Sequence, residues 1–148
     1  MAGLLIVAHA PLASTLKAVA AHVFPNESRL AALDVANHDT PESAELAARE
    51  LANRIRDPEL LVLTDVFGGT PCNVALRLVD GPQVRVVVGV NVPMLWRAIG
   101  YRQLPVAELV ERAVAGGVQG VMQLAPTRPQ VQGARSTDHD QDRIHDQQ

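Results

Sequence analysis

Leu4-Leu5-Ile6-Val7-Ala8-His9-Ala10-Pro11 is the stretch on which the fold turns. Five apolar residues lead directly into His9, and a proline follows two positions later. An unbroken apolar run of this kind predicts a strand buried on both faces, as in a parallel sheet. Pro11 suits the first position of a helix, where its missing N–H has no helical partner to lose. His9 is therefore expected in a strand-to-helix turn. In parallel α/β proteins that turn lies at the ligand-binding edge of the sheet. An imidazole there is a candidate for chemistry before it is a candidate for packing.

The rest of the chain alternates in the same way. Leu12, Leu16, Val19 and Val23 recur at helical spacing, which predicts a helix from about Pro11 to Phe24. Leu30 to Val35 reads as a second strand. Thr40-Pro41-Glu42 then opens a helix with a hydroxyl cap, a proline and an early carboxylate. Leu46, Leu51 and Ile55 mark the expected buried stripe of this helix, and Glu45/Arg49 and Glu50/Arg54 are i,i+4 pairs on its wet side. Leu60 to Asp65 is a third strand, again ending on a polar residue. A helix opens at Thr70-Pro71, a strand runs over Val84–Val90, and Asn91-Val92-Pro93 and Pro105 open two further helices. Gly116-Gly117 is expected to close the last helix, and Val118–Leu124 to form a final, weaker strand.

Such alternation implies a doubly wound, mostly parallel α/β sheet with helices on both faces. The short chain favours strand order 2-1-3-4, with the C-terminal strand at an edge. Winding then reverses between strands one and three, and His9 and Asp65 end those two strands across the resulting crevice.

Length and composition bound the function. The 148 residues suit one ordinary domain, placed at residues 1–125. Residues 126–148 hold almost no apolar side chains and read as a disordered tail. His139 and His145 stand there among four aspartates and read as part of a solvated tail rather than a metal site. The apolar fraction of 47% supports a core, and the aromatic fraction of 3% means that it is aliphatic. A net charge of −3 without a basic stripe gives no footprint for nucleic acid. No apolar run approaches the ~20 residues of a membrane span, and the N-terminus carries no signal-peptide pattern. Cys72 is the single cysteine. These features together predict a cytoplasmic protein with no direct membrane insertion.

After Asp65 the chain reads Val66-Phe67-Gly68-Gly69-Thr70-Pro71-Cys72-Asn73. Paired glycines allow close backbone approach, and they lead into a helix whose first N–H groups lack internal partners. Such an N-terminus suits phosphate. Gly68, Gly69 and Thr70 are the candidate phosphate-binding residues. Thr70 could cap the helix instead, and the glycines could form a plain tight turn. A reversibly phosphorylated histidine needs one ring nitrogen free and the other held as N–H by an acceptor. Asp65 fits that acceptor, so His9 and Asp65 are the candidate catalytic pair. No Walker motif, dinucleotide fingerprint, GxSxG elbow or HExxH is present, so neither a metal nor a cofactor is expected.

Three segments, Leu5–Ala10, Thr64–Asn73 and Gly89–Leu95, resemble the signature segments of the mannose-family IIA components of the bacterial phosphoenolpyruvate-dependent sugar phosphotransferase system. The resemblance spans about residues 3–124. It implies a phosphotransferase in which His9 accepts phosphate from the histidine-containing phosphocarrier protein and passes it to a IIB-type partner. Asp65 would hold the ring and Gly68-Gly69-Thr70 would receive the phosphate. It also implies a homodimer in which the C-terminal strand, here Val118–Leu124, is exchanged between subunits. Two features differ from the transporter members. No pattern of a fused IIB domain follows residue 124, and Cys72 stands where an aromatic is familiar. Both bear on sugar transport rather than on phosphorylation of His9. Two other roles fit the same domain: a regulator whose phosphorylation state reports phosphoenolpyruvate supply, and the phosphoryl-donor subunit of a dihydroxyacetone kinase. Among the other residues, Cys72 reads as a small buried side chain and His22 as a residue at a helix C-terminus. Met94, Trp96 and Ile99 read as core or interface. His38 stays open as a neighbour of the site, because its loop borders the first strand.

Overall fold

The computed structural model describes residues 1–126. Four strands form one parallel sheet: β1 (Gly3–His9), β2 (Leu30–Val35), β3 (Leu60–Thr64) and β4 (Val84–Val88). Their order is β2-β1-β3-β4, the order expected for a chain this short, with Val7 level with Thr64 and His9 level with Val35. The helices are α1 (Leu12–Ala21), α2 (Pro41–Ile55), α3 (Thr70–Arg77), α4 (Val92–Gly100) and α5 (Val106–Gln119). Alternate residues of β1 enter two separate cores. Leu4, Ile6 and Ala8 pack beneath α1, α4 and α5, while Leu5 and Val7 pack beneath α2 and α3. A strand wanted by both faces must be apolar throughout, which is why it reads as an unbroken run.

The helices meet the sheet through smaller side chains than expected. In α1 the buried residues are Ala13, Leu16 and Ala20, while Leu12 and Val23 are exposed. In α2 they are Ala44, Ala48, Ala52 and Ile55, and Leu46 is exposed. Alanine lets a helix axis lie close to the strands, and leucine is left for the margins. Helix α1 is also shorter than expected. Pro11 takes the N-cap position rather than the first helical one, and the chain turns off at His22.

The C-terminal part differs most. Gly116-Gly117 does not end α5, which continues to Gln119 and therefore takes in Val118. Residues 121–126 form no strand within this chain, so the sheet of the described residues has four strands. The glycines answer a packing demand. A Cβ on Gly116 would stand 2.7 Å from Arg97 Cβ, and one on Gly117 would stand 2.8 Å from Met94 Cε. Together with Gly120, which meets Pro93 in the same way, they let side chains of α4 pack directly against the backbone of α5. Close packing along that seam outweighs the ~1 kcal/mol per residue that glycine costs in a helix. Strand β4 likewise stops at Val88 rather than Val90. Gly89 takes φ +95°, and the Gly89 and Val90 N–H groups both donate to Thr64 O. The expected tail, beyond residue 126, lies outside the described residues.

Two polar features fasten the frame. Arg102 is 1% exposed; its Nε donates to Ala2 O at 3.2 Å and its Nη1 pairs with Glu27. It ties the segment after α4 to the start of β1. Glu45 on α2 accepts from Arg49 at 2.8 Å and from Arg77 on α3 at 3.1 Å, and Arg49 also donates to Arg77 O at 2.8 Å. Hydrogen bonds from Arg49 and then Arg77 hold the Glu45 carboxyl below its ordinary value. Stability from this clamp is therefore present above the ordinary glutamate range and is lost as pH falls through the lowered folded value. Glu45→Gln should destabilise the protein at pH 7 and progressively cease to do so below about pH 4, the range where free glutamates titrate. Urea denaturation of both proteins across pH checks this; an unchanging difference would show that charge on Glu45 is not what clamps α3.

Candidate functional site

Strands β1 and β3 are neighbours, and both run out at the same edge of the sheet. His9 is the last residue of β1 and Asp65 the first beyond β3. Asp65 Oδ2 accepts the His9 main-chain N–H at 3.0 Å and lies 2.8 Å from His9 Nδ1. Asp65 Oδ1 accepts the Val66 N–H at 2.9 Å and a long 3.5 Å contact from the Thr64 hydroxyl. Partial burial acts to raise the Asp65 pKa. The His9 N–H, the His9 ring and the Val66 N–H outweigh it, and the carboxyl is held below its usual value. It is an anion at neutral pH and can only accept. His9 Nδ1 must then carry the proton, which leaves a lone pair on Nε2.

Nε2 faces the loop before α3. A Cβ on Gly69 would stand 3.1 Å from His9 Cε1 and 3.5 Å from Nε2. The absence of a side chain at Gly69 keeps open the space beside the nucleophile. Gly68 precedes it with φ +98°, a conformation that favours glycine. Gly69 is the N-cap of α3, so Thr70 is the first helical residue and does not cap the helix. No side chain satisfies the first turn of α3, whose Thr70 and Cys72 N–H groups have no helical acceptor. Pro71 has no N–H to offer. The dipole of α3 adds partial positive charge at the same end. The arrangement sets a free ring nitrogen beside a helix end of the kind that suits an anion. His9 is exposed enough, at 49% of its side chain, for a large donor to reach it.

The structure thus brings together His9, Asp65 and the Gly68-Gly69-Thr70 turn. It does not bring His38 to them: that ring is exposed and stands 3.8 Å from its neighbour Asp39. His22 is the C-cap of α1. Cys72, Met94 and Ile99 are buried, and Trp96 is 39% exposed. Among the described residues no cluster of His, Cys, Asp and Glu is arranged to hold a metal ion, and no helix is long and apolar enough to cross a membrane.

Three features of the site escape the sequence. Val66 and Phe67, whose identities suggest burial, stand out at the loop tip, Phe67 at 83% exposure. Thr64 is fully buried beneath Asp65. Asp34, in sequence only one residue of a strand, binds Ser14 at the start of α1 through both carboxylate oxygens. The position of Val66 and Phe67 between a strand-ending aspartate and a glycine pair could have signalled the first; the other two depend on strand register.

Comparison with known proteins bears on this arrangement. Residues 3–114 match the family described as PTS system fructose IIA component. A mannose/sorbose-specific IIA subunit of the phosphotransferase system from Enterococcus faecalis superposes with a TM-score of 0.79 at 25% identity, over 87% of this chain and 98% of that one. The PTS IIA protein associated with the fucose utilization operon of Streptococcus pneumoniae gives 0.68 at 25% identity, over 83% and 96%. Component EIIA from Streptococcus agalactiae gives 0.76 at 24% identity, over 83% and 97%, and speaks to the fold alone. A search of curated proteins returned no match. With three quarters of its length matched in order and the strand-end histidine and glycine turn in place, the chain belongs to the PTS fructose/mannose IIA family.

Proposed function

We propose that this protein is a cytoplasmic phosphoryl carrier: His9 Nε2 accepts a phosphoryl group from the histidine-containing phosphocarrier protein and passes it to a IIB-type partner. The observation that carries this reading is the bond between Asp65 and His9 Nδ1, 2.8 Å, with Nε2 turned toward the uncapped start of α3. In the forward step the phosphorus–nitrogen bond of the donor phosphohistidine breaks as the Nε2–phosphorus bond forms. The donor ring leaves with its electron pair. The His9 ring becomes cationic while it keeps its Nδ1 proton, and Asp65 stabilises that charge without taking the proton. The Gly69–Cys72 backbone receives the phosphoryl oxygens. The two histidines have similar leaving ability, so the step is reversible and needs positioning more than driving force.

His9→Ala should abolish labelling by phosphoenolpyruvate, the first enzyme of the system and its phosphocarrier, with the modification mapped at alkaline pH. Asp65→Asn should keep the fold and slow labelling at least about tenfold. The upper bound is the ~10⁴-fold lost when the orienting carboxylate of a serine-protease triad becomes an amide. Wild-type labelling in either variant would remove that residue from the mechanism.

Gly69→Ala tests the open space beside Nε2. Its methyl would meet the imidazole at 3.1 Å, so the ring or the loop must give way. We expect thermal stability within a few degrees of wild type and labelling reduced about 10- to 100-fold, the scale of a ~1 Å misplacement. Equal labelling rates would show that the phosphoryl group sits elsewhere.

The functional unit is proposed to be a homodimer completed by the segment after α5. Val118, Val121, Met122 and Leu124 are exposed, and β4 has no strand on its outer side among the described residues. An uncovered apolar sheet edge and an exposed apolar segment in one chain are an association hazard unless they cover each other between chains. Val121→Asp with Leu124→Asp in the full chain should convert a dimer to a monomer in light scattering. A double variant with dimeric mass, or a wild-type monomer, would reject exchange of this segment.

A further inference from the structure

Two helix N-termini flank His9, and they are finished differently. The start of α3 has no side-chain cap. The start of α1 cannot be capped by its own N-cap residue either, because Pro11 has no polar side chain. Its cap comes from another element. Asp34 lies on β2, level with Ala8 on β1. Its Oδ1 accepts the Ser14 N–H at 3.0 Å and its Oδ2 accepts the Ser14 hydroxyl at 2.5 Å. Ser14 is the third residue of α1, the position whose N–H an ordinary N-cap side chain would bind. The Thr15 hydroxyl and N–H both return to Pro11 O, at 2.7 and 3.2 Å. Ala10 N–H donates to Val35 O at 3.0 Å. The turn that carries His9 is therefore pinned to β2 beyond it, while His9 itself is pinned to Asp65 on the other side.

We propose that Asp34 is a positioning residue for phosphoryl transfer at His9, acting by capping α1 from β2 and so fixing the His9–Leu12 turn. This rests on the carrier reading above. Neighbouring residues of β1 face opposite sides: Ala8 faces the α1 side, as Asp34 does through its bond to Ser14, and His9 turns toward Gly69 on the α3 side. Asp34 thus acts through the backbone and does not touch the ring. The Ser14 N–H at the start of α1 is thereby already taken by an acceptor. The uncapped start of α3 is left as the better of the two places for a phosphoryl dianion. The cap is a hydrogen-bonding function that asparagine performs about as well as aspartate. Substitutions at Asp34 therefore separate capping from charge.

The test uses full-length wild type, Asp34→Ala, Asp34→Asn and Ser14→Ala, each shown to be folded by its far-ultraviolet circular dichroism and thermal melt. Two quantities are read: the labelling rate from the phosphorylated phosphocarrier, and the nitrogen-15 shifts of the His9 ring, which report its tautomer. We expect Asp34→Ala to label about tenfold more slowly and to show a mixed tautomer population, as a loosened turn would. Asp34→Asn should restore both readouts to within about twofold of wild type, since the rank order of caps places the two residues together. Ser14→Ala should fall between them. Wild-type rate and ring shifts in Asp34→Ala would overturn the proposal. So would an Asp34→Asn variant as slow as Asp34→Ala with unchanged ring shifts, since the carboxylate would then act by charge and not by position. If the wild type takes no phosphoryl group, the carrier reading fails. The ring shifts still decide whether Asp34 sets the His9 tautomer.

Discussion

Asp65 Oδ2 accepts twice from one residue, at 3.0 Å from the His9 main chain and 2.8 Å from its ring. The first bond fixes where the residue is and the second fixes how the ring is turned. Both require the end of β3 to lie beside the end of β1, which the order β2-β1-β3-β4 supplies. A winding without the reversal between β1 and β3 would part them. The two-sided core beneath β1 and the strand-ending turn at Gly89, whose N–H donates to Thr64 O, hold the strand ends that this oxygen bridges.

The same bond divides the imidazole into two unlike ends. Nδ1 is bound to an anion, and Nε2 is left beside a glycine and a helix N-terminus. Net stabilisation by a charge-assisted hydrogen bond is roughly 1.5–3 kcal/mol. That exceeds the small intrinsic difference between histidine tautomers and is enough to set one. It is far from enough to hold an exposed loop, which is why the turn carries further fastenings to β2 and to Val35 O.

Much of this is legible in the sequence. The apolar runs locate all four strands, their alternation with helices implies a parallel sheet, and the order favoured for a short chain puts His9 and Asp65 at one edge. The failures share a cause. Leucine dominates any reading of periodicity, yet α1 and α2 face the sheet with Ala13, Ala20, Ala44, Ala48 and Ala52. Gly116-Gly117 reads as a helix stop because glycine has weak helix propensity, but the seam with Met94 and Arg97 needs the missing side chains more. Val118–Leu124 reads as a strand from its composition, whereas α5 runs through Val118 and the rest finds no partner in its own chain. The roles of Arg102 and Asp34 are invisible because their partners, Glu27 and Ser14, are distant in sequence and meet them only through tertiary packing and strand register. Local patterns locate elements; which small residue or lone charge closes a contact is decided by what lies across it.

An open site raises a question that burial would ordinarily answer. The proposed phosphohistidine would stand in the open, since the His9 side chain is half exposed and Phe67, on the loop after β3, is 83% exposed. Water is therefore not excluded. Asp65 is the carboxylate nearest the ring. Both its oxygens already accept hydrogen bonds, and the same bonds hold its pKa below the usual range. A general base works best with a pKa near the operating pH. Each unit by which the carboxyl falls further below that pH weakens its grip on a proton from water tenfold. An aspartate carboxyl is already a weak base at neutral pH, and the bonds that let Asp65 orient His9 act in the same direction. In the proposed carrier, the carboxylate that orients the ring would therefore be ill suited to promote attack by water on the phosphoryl group.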